Sequence, residues 1–151
     1  MPAIDIETYI KCAEKTGSFM PEETGVLREV LTECFSASPT TYILMDERNR
    51  GCLRGFIIFG RTPMTERGWD IYWIVVDISW QRKGIGHNLL EKMRRRIAKD
   101  HNNAVIRIET AGKASYSHVR NFYIKAGFAE AGRVPDFYAK GDDMVVFWKK
   151  I

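Results

Sequence analysis

Hydrophobic positions recur with a helical period twice in the first third of the chain. Ile6, Tyr9, Ile10 and Ala13 share one face of a helix over residues 5–15. Val26, Leu27, Val30, Leu31, Cys34 and Phe35 form a stripe that predicts a second helix over Pro21–Phe35. Pro21 suits the first helical position, and Glu22 and Glu23 suit the positive end of the helix dipole. The period then shortens. Thr40–Met45 and Cys52–Gly60 read as two strands of a hairpin around a polar turn, Asp46–Gly51. Arg61–Gly68 is a loop punctuated by Pro63 and Gly68. Trp69–Asp77 is a nearly unbroken apolar, aromatic and β-branched run, which predicts a strand buried on both faces.

The helical period returns behind Gly84-Ile85-Gly86, where Ile85, Leu89, Met93 and Ile97 stand four apart with Leu90 beside them. Arg94-Arg95-Arg96 falls mostly on the outer face, and Glu91 can pair with Arg95. Asn103–Glu109 is another strand. Tyr116–Ala126 is a short helix with Val119, Phe122, Tyr123 and Ala126 on one side, and Gly127 stands where a helix-ending glycine belongs. Ala129–Val134 and Met144–Lys150 close the chain as strands joined by a loop, Pro135–Asp143. The order α-α-β-β-β-α-β-α-β-β predicts an α+β, or mixed α/β, fold with one sheet flanked by helices. Its strand–helix–strand unit from Trp69 to Glu109 implies two parallel neighbours at mid-sheet.

Composition narrows the function classes. At 151 residues, with no linker or repeat, residues 1–151 read as a single domain. The net charge of +4 suits an anionic ligand but lacks the dense one-sided patch of a nucleic-acid binder, and no apolar run is long enough to span a membrane. Met1-Pro2-Ala3-Ile4-Asp5 has neither the basic nor the apolar region of a signal peptide, and Pro2 excludes a myristoylation pattern. Cys12, Cys34 and Cys52 are scattered, so neither a disulfide framework nor a zinc site is expected; they read as small core residues in a cytoplasmic protein. His87, His101 and His118 fall in no metal or triad spacing and read as packing or solvent-facing residues.

The sharpest chemistry lies in Gln81-Arg82-Lys83-Gly84-Ile85-Gly86, between a buried strand and a helix. Glycines there let the backbone approach a ligand, and successive N–H groups with the helix dipole suit a phosphate. It is neither a Walker loop nor GxGxxG, since Leu89 stands at the third position after Gly86. A plain strand-to-helix turn is the other reading.

Gln-x-x-Gly-x-Gly in that context resembles the acetyl-CoA signature of the GNAT N-acetyltransferases. Asn121-Phe122-Tyr123-Ile124-Lys125-Ala126-Gly127-Phe128 resembles the family's late helix, and Arg133–Asp143 the ending of one of its bacterial and archaeal branches. The resemblance covers about residues 40–150. It implies a central mixed, mostly antiparallel sheet whose two central parallel strands splay apart. It implies acetyl-CoA as co-substrate, with no metal, and an amine of a small molecule, peptide or protein as acceptor. Direct attack would occur in a ternary complex.

By the same resemblance, the backbone N–H groups of Arg82, Lys83, Gly84, Ile85 and Gly86, in the loop opened by Gln81, hold the pyrophosphate. Ile74, Val75 and Val76 line the pantetheine arm and offer an N–H to the thioester oxygen. Asp70, eleven residues before Gln81, stands where some members carry a Glu as base; it also reads as a residue closing the Gly68–Trp69 turn. Tyr123 matches the Tyr that protonates the leaving thiolate; it also reads as a core Tyr bonded to backbone. Tyr116 replaces an Asn common seven residues before that Tyr. Glu22, Glu23, Phe137 and Tyr138 are further candidates for the acceptor side, and Asp142 and Asp143 read as a solvated turn. Dimers are common in the family, which leaves a homodimer open. A catalytically idle acyl-CoA-binding or sensing domain is the alternative function.

Overall fold

The computed structural model describes residues 5–151; the signal-peptide and myristoylation readings of Met1–Ile4 lie outside the described residues. Helix α1 spans Ile6–Lys15 and α2 spans Pro21–Cys34, with Pro21 opening α2 and Glu22 and Glu23 in its first turn. The strands are β1 (Tyr42–Asn49), β2 (Cys52–Arg61), β3 (Gly68–Val76), β4 (Val105–Ala111), β5 (Ala129–Ala139) and β6 (Asp142–Lys150). Helix α3 spans Ile85–Ala98 between β3 and β4, and α4 spans Ser117–Lys125 between β4 and β5. They build one six-stranded sheet in the order β1-β2-β3-β4-β6-β5. Only β3 and β4 run parallel; the other four pairings are antiparallel.

Alternation along β2 divides the interior into two cores. Ile57 and Phe59 join Ile71, Leu89, Met93, Ile97, Ile106, Tyr123 and Phe147 beneath α3 and α4. Phe56 and Ile58 face the other way, into a core with Tyr9, Ile10, Leu27, Leu31 and Val75 beneath α1 and α2. Each fully buried aliphatic or aromatic side chain removed from water contributes about 1.5–3 kcal/mol before entropy is counted, so both helical layers are firmly held. The second layer stops short. Helices α1 and α2 pack on β1, β2 and β3 and leave the same face of β4, β6 and β5 open, where Arg107, Glu109 and Trp148 are exposed.

Four expectations are corrected. The first hairpin has no broad polar turn at Asp46–Gly51: β1 continues to Asn49, and the reversal is confined to Arg50 and Gly51, both at positive φ. Asp46 is held in the strand, accepting bonds from the Tyr9 hydroxyl (2.7 Å) and Arg48 Nε (2.9 Å). The segment Pro135–Asp143 is largely strand, because β5 runs on to Ala139 and β6 begins at Asp142. The strand buried on both faces is β2, whereas in β3 Tyr72 is 37% exposed. Among the cysteines, Cys12 is buried but Cys52 is exposed, at the start of β2 beyond the cover of the helices.

Candidate active site

The parallel pairing at the centre of the sheet is short. Gly68, Trp69 and Asp70 pair with Val105, Ile106 and Arg107, and no further β3–β4 pair is made among the described residues. Both strands continue, β3 to Val76 and β4 to Ala111, so their facing backbone edges diverge unpaired. The cause lies on the other side of β3. Ile58 pairs with Trp73 but its neighbour Phe59 pairs with Ile71, leaving Tyr72 as an extra residue. A bulge of this kind bends its strand and ends regular pairing. It also reverses the side-chain alternation: Trp69 and Ile71 enter the α3 core before it, Ile74 and Val76 after it.

An ion pair marks the fork. Arg107 donates from Nε to Asp70 Oδ1 (2.7 Å) and from a terminal nitrogen to Oδ2 (3.2 Å), and Thr62 Oγ1 donates to Oδ2 as well (2.6 Å). Asp70 is mostly buried, with 13% of its side chain exposed. The hydrogen bonds to Asp70 raise the Arg107 pKa above its ordinary value. Both oxygens of the expected base are therefore engaged, in a fork-shaped, charge-assisted contact joining the last paired residues of the two strands.

At the mouth of the opening, a 3-10 turn (Ile78–Trp80) leads into the glycine loop and α3. Arg82 and Gly84 both have positive φ, 62° and 81°, with Lys83 between them. Such backbone turns successive N–H groups into one concavity, and the first N–H groups of α3 have no acceptor within the helix. The two glycines serve different ends. A Cβ on Gly84 would meet nothing within 4 Å, so its left-handed conformation is what requires glycine. A Cβ on Gly86 would stand 2.8–2.9 Å from the Phe122 ring, so Gly86 is where α4 packs against α3. Gly84→Asn, which tolerates the left-handed region, is expected to keep the melting temperature close to that of the parent and to lower CoA affinity about tenfold or more by placing a side chain over the loop. Gly86→Val is expected to destabilise the fold through overpacking by about 1–3 kcal/mol, and so to lower the melting temperature, whatever it does to binding. Calorimetric titration and thermal melts of both variants check this division.

Tyr123 lies on the inner face of α4, 2% exposed, with its ring 5.2–5.9 Å from those of Phe122, Phe128 and Phe147. Its hydroxyl makes no hydrogen bond among the described residues, to backbone or to any side chain. Burial raises its pKa well above the ordinary tyrosine value. The phenol is thus held neutral as a donor, and its oxygen is not among the fully buried atoms left without a partner.

The open face of β4, β6 and β5 carries residues that the motifs did not single out. Glu109 stands two residues beyond Arg107 on the same exposed face of β4, and it is the sole carboxylate on the diverging stretches Ile71–Val76 and Ile108–Ala111. A sequence signal existed in the alternation of Val105, Ile106, Arg107, Ile108 and Glu109, but which face stays open depends on where α1 and α2 end. Tyr116 reaches across this face and donates to the Ser18 carbonyl in the α1–α2 loop. Burial raises the Tyr138 pKa first, with further upward contributions from Glu109, Asp142 and Glu23. Carboxylates from α2, β4 and β6 therefore lie within electrostatic reach of one tyrosine. Burial likewise raises Glu23 itself, against the opposing effect of Lys113. Phe137 and Tyr138 meet edge to face at 5.4 Å and are 58% and 47% exposed.

The remaining candidates have structural partners. Asp142 and Asp143 are bound into the turn, accepting from the backbone N–H of Lys113 (3.3 Å) and Asp136 (2.9 Å). His87 and His101 lie 5.0 and 5.3 Å from the rings of Phe122 and Trp69. Arg94 and Arg95 both pair with Glu91, and Arg96 with Asp100. No cluster of His, Cys, Asp or Glu suited to a metal ion occurs among the described residues.

A mixed sheet that is parallel only at a splayed centre, with a glycine-loop helix at its mouth, is the α+β architecture of the GNAT acetyltransferases. The chain belongs to that family: the model of the acetyltransferase (GNAT) domain matches residues 38–130, more than half of its length. A protein from Desulfovibrio desulfuricans assigned to the GNAT acetyltransferases superimposes with a TM-score of 0.92 at 29% identity, over 99% of this chain and 94% of that one. An aminoglycoside 6′-N-acetyltransferase in complex with coenzyme A superimposes with a TM-score of 0.77 at 19% identity, over 96% and 89%. The ribosomal-protein-S18-alanine N-acetyltransferase of Escherichia coli does so with a TM-score of 0.77 at 18% identity, over 100% and 90%. No curated protein matches the chain in sequence.

Proposed function

We propose that this protein transfers an acetyl group from acetyl-CoA to a primary amine by direct attack within a ternary complex. The carrying observation is the unpaired opening between β3 and β4, closed at one end by Asp70–Arg107 and flanked at the other by the glycine loop. Its chemistry fits the cofactor: two strand edges with free backbone groups accept an extended arm as β-strands accept one another, and the N-terminus of α3 accepts phosphate. Ile74, Val75 and Val76 would hold the arm, and the N–H groups from Arg82 to Gly86, with Gln81 at the loop's start, would hold the pyrophosphate. Gln81 Nε2 donates to the Val76 carbonyl at 3.3 Å, which ties loop to strand. When bound, acetyl-CoA supplies the activated acetyl group.

The remaining chemistry falls to side chains. We assign the base to Glu109 instead of the expected Asp70, because Asp70 is committed to Arg107 and Thr62 whereas Glu109 faces the open side of the fork. Its carboxylate takes the proton that the acceptor ammonium must lose before it attacks. A backbone N–H between Ile74 and Val76 holds the thioester oxygen, and Tyr123 gives its hydroxyl proton to the departing thiolate, the phenol being restored by the second proton that the attacking nitrogen loses. No acyl-enzyme is invoked: Cys12, the buried cysteine, has its thiol pushed up to about 11 by burial, away from the thiolate form a nucleophile needs. The acidic rim of Glu23, Glu109 and Asp142 favours acceptors that carry positive charge, small molecules and peptides alike. A cytoplasmic home and a homodimeric state belong to the same reading, supported by the unpaired cysteines and by exposed Val134, Phe137 and Tyr138.

Release of CoA thiol, measured across a panel of polyamines, aminoglycosides, amino acids and lysine-containing or free-N-terminal peptides, tests the proposal. Turnover above the rate of thioester hydrolysis with at least one amine is expected. Tight CoA binding with no turnover across the panel would assign the chain to acyl-CoA sensing instead.

A further inference from the structure

Arg54 carries a charge that the mechanism above leaves unused. It lies on β2, only partly exposed, and makes no salt bridge among the described residues. Its Nε is buried and has no hydrogen-bond partner, one of two such buried side-chain atoms among the described residues. An orphaned buried donor on a cation costs free energy and signals a partner that arrives from outside the chain. The guanidinium carbon lies 4.0 Å from the centroid of the Trp80 ring, and Lys83 Nζ lies 4.8 Å from the same centroid. Trp80 ends the turn directly before Gln81. Strand β2 grips this turn by a backbone bond as well, from the Asp77 N–H to the Arg54 carbonyl at 2.8 Å. One indole therefore gathers two cations, with no carboxylate bound to either, beside a loop whose N–H groups form an anion cradle.

We propose that Arg54 and Lys83, held on Trp80, form a phosphate subsite that extends the Gln81–Gly86 cradle. Arg54 and Lys83 supply charge to the anion; Trp80 is a positioning residue that acts through both. The ring holds the guanidinium by stacking and by cation–π attraction, and so aims its free N–H groups without a carboxylate that would neutralise them. This inference rests on the acetyl-CoA reading and joins Arg54 and Trp80, which lie outside the loop motif, to Lys83 within it. The phosphate is either the pyrophosphate or the 3′-phosphate of the cofactor, and the ligand series below separates the two.

Binding of acetyl-CoA, its 3′-dephospho form, S-acetyl-4′-phosphopantetheine and S-acetylpantetheine is measured for the parent, Arg54→Met, Lys83→Met and Trp80→Leu. A charge-assisted contact is worth about tenfold or more in affinity, so Arg54→Met should weaken acetyl-CoA by at least that factor and leave S-acetylpantetheine unchanged. Lys83 is exposed, so Lys83→Met should fold normally and show the same selectivity. Trp80→Leu should match Arg54→Met, and Trp80→Phe, which keeps a ring, should restore most of the affinity. A loss that vanishes with the dephospho form assigns the subsite to the 3′-phosphate; one that persists there assigns it to the pyrophosphate. Equal weakening of all four ligands, or unchanged acetyl-CoA affinity in Arg54→Met and Lys83→Met, overturns the subsite. A parent protein that does not bind acetyl-CoA overturns the acetyl-transfer reading and this inference with it, whereas a binding parent with unaffected variants overturns this inference alone.

Discussion

Tyr123→Phe should lower kcat by about 10- to 10⁴-fold, the range of a positioned general acid with partial replacement by water at its low end, while folding and CoA affinity stay near those of the parent. The structure sharpens the contrast with a purely structural tyrosine. A hydroxyl bonded in the core would cost about 1 kcal/mol of stability on removal. The Tyr123 hydroxyl makes no such bond among the described residues, so Tyr123→Phe should leave the melting temperature unchanged or slightly higher. The kinetic loss should shrink with a thioester whose thiol is more acidic, because that leaving group needs less protonation. Burial raises the phenol's pKa, so its proton moves only as negative charge develops on sulfur, and the dependence on leaving group should be steep. Unchanged kcat in a well-folded variant would remove Tyr123 from the reaction.

Glu109→Gln and Asp70→Asn should fail in different ways. If Glu109 accepts the acceptor's proton, its amide should lower kcat/KM by about 10²–10⁴ and flatten the acidic limb of the pH–rate profile, with melting temperature and CoA affinity preserved. Asp70→Asn should act mainly on stability. It breaks a two-point contact with Arg107 whose arginine is half exposed, so solvent screening limits the loss to about 1–2 kcal/mol. Turnover should fall only as far as the fork between β3 and β4 loosens. Full activity in Glu109→Gln, together with a stable but inactive Asp70→Asn, would return the base to Asp70.

The chain's local signals reached far into this molecule. Element order, the strand–helix–strand crossover, the Gln81–Gly86 loop and the placement of Tyr123 on the inner face of a short helix follow from residues close in sequence. Periodicity and turn chemistry act over one or two turns of chain, so sequence carries them. The lengths of both hairpins were less legible. A polar segment such as Asp46–Asn49 becomes strand only because β2 lies beside it, and β5 reaches Ala139 only because that residue pairs with Asp142 of β6.

The features that turn the fold into a site are non-local. The bulge at Tyr72 arises from the register between β2 and β3, and strand register is settled by pairing across the sheet, not by the residues of one strand. That register opens the gap. Asp70 reads equally as a base or as a turn residue until Arg107, 37 residues away, is paired beside it. Gly86 reads as a glycine of the loop alone until Phe122 is packed against the place its Cβ would take. Arg54 gains its meaning only where Trp80 is folded onto it. In each case the residue type is compatible with several roles. The partner that selects one of them is brought by packing from a distant part of the chain, which is why sequence determined the scaffold and its chemical inventory, and tertiary structure decided which groups remain free to act.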